Sequence, residues 1–141
     1  MLRFQLVTLD GTKLDEEVYE VRLPTPDGEI GVFTFHAPLV SVASPGVITV
    51  KRKNGDPEAK WEYFATNGGV IEIVEGIVRV LVDEADRESE INEQEAQKAY
   101  AKAQAMRAEA KDQVSLEQAQ SLIDRHAVRL HVAGLRRRRR P

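Results

Sequence analysis

The 141 residues of this chain are enough for one moderate hydrophobic core, and a composition of 42% hydrophobic and 30% charged residues is typical of a globular domain. No apolar run approaches the roughly 20 residues that a membrane-spanning helix needs. The absence of cysteine excludes disulfides, thiolate metal sites and cysteine nucleophiles. Met1 leads directly into an alternating strand pattern without the features of a secretory signal, which predicts a location on the cytosolic side.

The charges are divided unevenly along the chain. Residues 1–85 contain 14 acidic and 8 basic side chains, whereas residues 86–141 contain 9 acidic and 12 basic ones. The basic excess comes from Arg136 to Arg140, a run for which we expect disorder. A basic end on an acidic body favours an anionic partner for the C-terminal half.

Short alternating segments separated by turn residues fill the first half of the chain. Asp10-Gly11 is typical of a hairpin turn, and Pro24 is expected to end the strand before it. Many short strands with closely spaced turns predict an antiparallel β-sandwich over residues 1–85. The predicted strands are Arg3 to Leu9, Tyr19 to Leu23, Leu39 to Ala43, Val47 to Lys51, Trp61 to Ala65, Val70 to Val74 and Ile77 to Val82.

The stretch from Gly28 to Val40 is predicted to form a corner between packed strands. Gly28 and Gly31 allow backbone conformations in which a Cβ atom would clash. Pro38 fixes its own φ and favours an extended conformation for the residue before it, so the chain is expected to enter the next strand stiffly.

The pattern becomes helical from Asp86 onward, since alanine is common there and glycine and proline are absent until Gly134. Asn92 is a predicted N-cap with acidic residues in the first turn after it. The first helix then carries one narrow apolar stripe, made of Ala96, Ala99, Tyr100, Ala103, Met106 and Ala110.

A second helix is predicted after a break at residues 112–114. Its start is placed at Ser115, which opens a capping-box sequence, and its end at Gly134. The predicted fold class is therefore α+β, with an N-terminal sandwich over residues 1–85, an antiparallel two-helix hairpin over 86–135 and a basic tail over 136–141. The apolar side of the second helix comprises Leu116, Ala119, Ile123, Leu130 and Ala133.

The alanine-rich stripe predicts weak docking of this hairpin. Burial stabilises by about 25 cal/mol per Å² of apolar area, so alanine gains much less than leucine or phenylalanine. Good helix propensity with little apolar area predicts helices that form but detach readily, with a few kcal/mol between the two positions.

Motifs for common chemistry are absent from the sequence, which has no phosphate loop, dinucleotide fingerprint or nucleophile elbow. His126 and His131 are five residues apart, about 140° around a helix, so a shared metal ion is not expected. His36 has no nucleophile near it in sequence, which favours a structural or interface role over catalysis.

Two segments and their order give the chain a resemblance to a known family. Gly28-Glu29-Ile30-Gly31 followed by His36-Ala37-Pro38-Leu39 is the most specific segment, and Asn67-Gly68-Gly69-Val70-Ile71-Glu72-Ile73 is the second. Together with the helical hairpin, they make the chain resemble the epsilon subunit of bacterial F-type ATP synthases, from Phe4 to Leu135.

The resemblance implies a non-catalytic subunit of a rotary motor, with no cofactor of its own. In that family the sandwich binds the central gamma subunit and rests on the membrane-embedded ring of c subunits, so membrane contact comes only through the complex. The resemblance places Glu29 and His36 at this rotor junction. The alternative is that the corner, with Gly28, Gly31 and Pro38, only shapes a turn.

The resemblance also implies that the hairpin extends toward the alpha and beta catalytic subunits and inhibits ATP hydrolysis. Arg125 and Arg129, four residues apart on one helical face, would then meet an acidic loop of those subunits. The alternative reading of both arginines is a solvated charged face.

Some members of the family bind ATP in the folded hairpin. Here Ile91 and Ala96 match the signature of that site, Arg125 and Arg129 match the arginines of the second helix, and Lys102 adds a cation. Asn92 and Glu95 replace the aspartate and arginine of the signature. Because Glu95 would repel phosphate, weak ATP binding or none is expected.

Two other functions remain open at this stage. The arginine tail also suits a free-standing binder of anions or nucleic acid, although the acidic sandwich lacks an evident aromatic stacking platform. An enzyme is disfavoured because no pairing of a base with a nucleophile emerges. Within the resemblance, the expected location is the cytoplasmic side of a bacterial inner membrane, with no nucleic-acid partner.

Overall fold

Residues 1–139 are described by the computed structural model, and they form two five-stranded sheets followed by two helices. Two short 3-10 turns, Glu58–Lys60 and Glu88–Glu90, connect these elements. The elements in chain order are β1 (Leu2–Thr8), β2 (Gly11–Val18), β3 (Glu20–Thr25), β4 (Gly28–Val32), β5 (Leu39–Ala43), β6 (Gly46–Lys51), β7 (Glu62–Thr66), β8 (Gly69–Val74), β9 (Ile77–Val82), β10 (Ala85–Arg87), α1 (Glu93–Glu109) and α2 (Gln113–Arg139).

The predicted sandwich followed by a helical hairpin is confirmed. The first sheet has the strand order β2-β1-β9-β8-β5 and the second has β10-β7-β6-β3-β4. All neighbours pair antiparallel except β1 and β9, which run parallel from Arg3 opposite Ile77 to Val7 opposite Leu81. This parallel pair joins the beginning of the sandwich to its end.

Three strands were not predicted from the sequence, namely β2, β4 and β10. Alternation was weak in β2 because Glu16, within an acidic run, takes an inward position between the buried Leu14 and Val18. The prediction that Pro24 ends its strand is wrong, since Pro24 lies inside β3. Its carbonyl accepts a hydrogen bond from the Ser44 amide at 3.0 Å and not from β4. Proline is tolerated where the strand ladder does not need its missing N–H.

The predicted corner is wrong at its start, since Gly28 to Val32 form β4 and pair with β3. Gly28 has a φ of +118° at the preceding turn, as expected of glycine, whereas Gly31 does not have a positive φ. A Cβ at Gly31 would lie 3.0 Å from a carboxylate oxygen of Glu20. The true bend follows at residues 33–38, which we call the tip loop.

The first helix begins as predicted, because the Asn92 side chain accepts a hydrogen bond from the Glu95 amide at 3.0 Å. The start predicted for the second helix is wrong by two residues. Asp112 is the residue that accepts from the Ser115 amide, at 2.7 Å. This hydrogen bond lowers the pKa of the Asp112 carboxyl. Asp112 therefore takes the capping position that was assigned to Ser115.

The predicted end of the second helix at Gly134 is also wrong, because α2 continues to Arg139. The expected disordered tail is accordingly helical from Arg136 to Arg139, while Arg140 and Pro141 lie outside the described residues. Basic side chains in a last turn favour the negative end of the helix dipole, which helps to explain the extension. Neither helix, over the residues described, is long and apolar enough to cross a membrane.

Two hydrophobic clusters hold these elements together. The larger one lies between the sheets, and its largest side chains are fully buried, including Phe4, Phe64, Leu6 and Leu23. The smaller one lies between the outer face of the second sheet and the hairpin. Its members are Tyr63, Ala65, Ile91, Ala96, Val132 and Ala133, with Val47, Trp61, Val128, Leu130 and Leu135 at its margin.

Candidate functional site

The tip loop carries the most unusual backbone position in the sandwich. Phe35 has a φ of +69° and a side chain that is 95% exposed. Bulky residues rarely adopt this left-handed conformation, which costs about 1 kcal/mol or more. Phe33 beside it packs edge-on against Tyr19, with ring centroids 5.6 Å apart. The loop therefore exposes the ring of Phe35 to solvent, while the neighbouring Phe33 packs against the sandwich.

Glu29 precedes the two phenylalanines of the tip loop in sequence, and His36 follows them. Glu29 is exposed on β4, opposite Pro24 of β3. His36 is half-buried in the tip loop, where its Nδ1 lies 2.6 Å from the carbonyl of Ala37. Within residues 1–139 no hydrogen bond or ion pair joins Glu29 to His36. Sequence reasoning missed Phe35, because nothing in its type signals a positive φ.

An apolar patch covers the outer face of the first sheet, and we call it the open sheet face. Val42, Val70 and Leu81 are cross-strand neighbours on β5, β8 and β9, and 58%, 45% and 43% of their surfaces are exposed. Val74 and Ile77 form a second exposed pair across β8 and β9. The hairpin covers the other sheet, so the two outer faces of the sandwich differ.

We call the contact between the hairpin and the sandwich the docking seam, and its apolar part is small. Val132 is fully buried there, whereas α1 buries only the alanines Ala96 and Ala103. On the sandwich side, Tyr63 and Ala65 of β7 meet the helix. The predicted shortage of apolar area on α1 is confirmed, although the seam gains a valine and several partly buried aliphatic residues from α2.

Two ion pairs cross the docking seam. Nη2 of Arg125 lies 2.7 Å from a carboxylate oxygen of Glu84, and Nε of Arg129 lies 3.2 Å from a carboxylate oxygen of Asp86. Arg129 and Asp86 are mostly buried, with 21% and 29% of their side chains exposed. The two arginines that the sequence assigned to a partner are therefore paired within the chain when the hairpin is docked.

His126 lies between these arginines in sequence and is buried, with 9% of its surface exposed. Its Nδ1 is buried without a hydrogen-bond partner among the described residues. Burial lowers the pKa of this imidazole, and Arg129 and Arg125 lower it further, while Asp86 and Glu84 oppose the shift. The sequence prediction had not placed this residue on the buried side of α2.

The residues proposed for ATP do not gather around one cavity in the described chain. Ile91 and Ala96 are buried in the apolar part of the docking seam, and Lys102 is exposed on α1. The groove between the helices is instead lined by other residues, namely Tyr100, Gln104, Arg107, Ala108, Leu116 and Ile123. Weak ATP binding or none stays a prediction.

The first arginines of the C-terminal run contact the start of the hairpin. Arg137 forms an ion pair with Glu93, and Arg136 donates a hydrogen bond to the carbonyl of Glu88 at 3.3 Å. These contacts fasten the end of α2 to the beginning of α1. Among residues 1–139, no group of three histidine or acidic side chains is arranged to hold a metal ion.

Comparisons with known proteins agree with this architecture. Residues 1–88 match the model of the β-sandwich domain of the ATP synthase delta/epsilon chain. The chain is 33% identical to the ATP synthase epsilon chain of Herpetosiphon aurantiacus over 138 residues, which cover 98% of each sequence. It is 37% identical to the epsilon chain of Nostoc punctiforme over 122 residues, which cover 86% of this chain and 84% of that one.

Solved structures of large complexes contain chains of the same shape. A chain in the mitochondrial ATP synthase of Euglena gracilis, solved with OSCP, F1 and c-ring, superposes with a TM-score of 0.77 and 25% identity, covering 92% of this chain and 79% of that one. A chain in the central stalk and c-ring of the Tetrahymena thermophila enzyme superposes with a TM-score of 0.58 at 12% identity, covering 91% and 95%, and shares the fold. By the family match and the near full-length relatives, this chain belongs to the ATP synthase delta/epsilon chain family.

Proposed function

We propose that this chain is a non-catalytic subunit of the central stalk of an F-type ATP synthase, in which the sandwich is the anchor and the hairpin is the regulatory element. The observation that carries this proposal is the match to epsilon chains over 98% of both sequences, with the hairpin included. Its partners are then the gamma subunit, the c-subunit ring and the alpha and beta catalytic subunits. The protein lies at the membrane only through this complex, on the cytoplasmic side of a bacterial inner membrane.

The open sheet face is the surface that we assign to the gamma subunit. Val42, Val70 and Leu81 form a continuous apolar row, and clusters of this kind on a protein surface commonly mark interaction sites. The opposite outer face is unsuitable because the hairpin covers it. Binding through the open sheet face leaves the hairpin free to dock or leave.

The tip loop is the part that we assign to the c-subunit ring. Glu29 of β4 and His36 of the loop supply polar contacts to the ring, and the exposed side chain of Phe35 supplies an apolar one. Strained backbone positions persist where the surroundings or the function require them. The strain at Phe35 brings the isolated chain no packing, since 95% of the residue is exposed, so a partner contact accounts for it best.

The hairpin is the part that we assign to inhibition of ATP hydrolysis. In the docked position Arg125 and Arg129 are paired with Glu84 and Asp86. On release both guanidinium groups lose these carboxylates and become available to an acidic loop of the catalytic subunits. The ion pairs of the docking seam therefore compete with the inhibitory contact for the same two arginines.

The experiment that tests this assignment is a titration of an epsilon-depleted catalytic sector of the cognate motor. Its ATPase rate is measured with the intact chain and with a version that ends at Glu88, the limit of the family match. Because the sandwich has its own closed hydrophobic core, the shorter version is expected to bind the stalk. We expect both forms to bind and only the intact chain to slow hydrolysis.

The other outcomes separate the two halves of the proposal. If both forms bind and neither inhibits, the anchor remains and the regulatory role of the hairpin is wrong. If neither form binds a cognate sector, the assignment to the central stalk is wrong. A charge-reversed chain, R125E/R129E, serves as a matched full-length control, since it should bind through the sandwich and inhibit less.

A further inference from the structure

His126 is a buried imidazole in the docking seam that the proposed function does not use. It occupies the apolar side of α2, one residue after Arg125 and three before Arg129. A neutral imidazole there already has one buried nitrogen, Nδ1, without a partner. A buried polar atom of this kind is costly and calls for an explanation.

The charges around this imidazole are balanced without it. Glu84 and Asp86 each face one arginine, so the two carboxylates of the β9–β10 segment are matched by Arg125 and Arg129. A proton on His126 would bring a third positive charge to a group with two negative ones. Charged groups that lose water without gaining a partner are strongly disfavoured.

The residues of the apolar part of the seam carry no charge that could balance this proton. β7 presents Tyr63 and Ala65 to the helix, and β6 presents Val47. From α1, the buried side chains are Ala96 and Ala103. The carboxylates that favour a protonated His126 are Asp86 and Glu84, and each of them already faces an arginine.

We propose that His126 is a pH-sensitive latch: protonation of its imidazole weakens docking of the hairpin and releases α2 from the sandwich. In the released hairpin the imidazole is hydrated and free to take up a proton. Proton uptake thus accompanies release, and acidification shifts the equilibrium toward the released form.

The direction of the pH effect follows from the lowered pKa of the docked imidazole. Its ordinary value is 6.5, which we take for the released hairpin. The stabilisation is complete well above that pH and is lost as the pH falls below it, until the docked form is protonated as well. Linkage predicts a fall in the docked-to-released ratio of up to about tenfold between pH 7.5 and 5.5. Ordinary carboxyl groups titrate mainly below this window, near pH 4.

The lack of cysteine in the sequence permits a direct test on the full-length chain. Ala65 is 3% exposed under the hairpin, so the thiol of an A65C variant reacts only when α2 leaves. We compare its labelling rate by a dipyridyl disulfide, which reacts at acid pH, with that of A65C/H126Q. At each pH the rate of A65C is divided by the rate of A65C/H126Q. This quotient does not contain the pH dependence of the thiol itself, because both variants carry the same thiol.

We expect this quotient to rise up to about tenfold from pH 7.5 to 5.5. His131 provides the matched control because it lies on the same helix and is exposed, so A65C/H131Q should behave like A65C. A quotient that changes less than twofold overturns the proposal, and so does loss of the pH response in A65C/H131Q.

A second measurement decides the matter if the H126Q chain does not fold. The ring of His126 is titrated by NMR in the otherwise unaltered chain, and we expect a midpoint below 6.5. A midpoint at or above that value overturns the latch. Both measurements use the isolated chain, so they fail independently of the ATPase test. Only the physiological meaning, stronger inhibition at acid pH, rests on the proposed function.

Discussion

The interior of the sandwich and the docking seam are two buried contacts built from different side chains. Between the sheets, aromatic and long aliphatic residues such as Phe4, Phe64 and Leu23 are completely buried. In the docking seam, the residues buried most deeply from the hairpin are alanines, one valine and His126, and two ion pairs lie beside them. One contact is large and apolar, and the other is small and partly polar.

The difference implies two levels of stability in one chain. Apolar area between the sheets stabilises the sandwich without requiring any particular protonation state, because the buried groups carry no charge. Part of the docking energy comes from charged groups, which respond to salt and to the protonation of a neighbour. The hairpin can therefore respond to conditions under which the sandwich stays folded.

The largest predicted effect comes from breaking the sandwich interior. Phe64→Ala removes a fully buried ring and leaves a cavity, so we expect a loss of about 3 to 5 kcal/mol in the free energy of unfolding. Chemical denaturation followed by circular dichroism measures this change. A loss below about 1 kcal/mol would contradict our description of this core.

Val132→Ala makes the corresponding change in the docking seam. Val132 is fully buried, and we expect docking to lose about 2 kcal/mol while the sandwich remains folded. The single tryptophan, Trp61, lies at the margin of the seam, so its fluorescence reports release of the hairpin. Global unfolding of this variant would show that the two contacts are not separable.

The polar part of the docking seam is tested by a double-mutant cycle on Arg129 and Asp86. This pair is mostly buried, and we expect a coupling of about 1 kcal/mol between R129A and D86A in the docking equilibrium. Thiol labelling of an A65C background measures that equilibrium. Lys98→Ala, at an exposed position of α1, is the control and should leave it unchanged. Zero coupling would contradict our view that this ion pair contributes to the docking of the hairpin.

The smallest predicted effect on stability has an unusual sign. Asparagine tolerates a positive φ better than phenylalanine, so Phe35→Asn should raise the free energy of unfolding by about 0.5 to 1 kcal/mol. The same variant should bind the c-ring-containing complex less tightly, because it lacks the aromatic anchor. Phe35→Trp, which keeps an aromatic ring and the strain, should bind as the original chain does. Unchanged binding by Phe35→Asn would contradict the assignment of the tip loop.

Much of the architecture was predictable because it depends on local pattern. Seven of the strands and both helices follow from alternation, alanine content and capping residues, and Asn92 caps α1 as expected. The predictions were wrong where a contact between distant residues outweighed the local preference of the sequence. Gly134 is a typical helix end, yet α2 continues past it, with Arg136 and Arg137 contacting the start of the hairpin.

The candidate sites were less predictable for the same reason. Sequence spacing showed that Arg125 and Arg129 share a helical face, but not that Glu84 and Asp86 lie opposite them. His126 is one of three histidines that are scattered along the sequence, and only the docked position of α2 buries it. Partner residues about 40 positions away along the chain leave no periodic signal.

By itself, the sequence determined the alternation of the strands, the helical character of the second half and the motifs that link the chain to its family, because each depends on residues close together in the chain. The tertiary structure decided the parallel pairing of β1 with β9, the left-handed backbone at Phe35 and the burial of His126. The strand pairing and the burial of His126 depend on contacts between distant segments, and a phenylalanine by itself gives no indication of a positive φ.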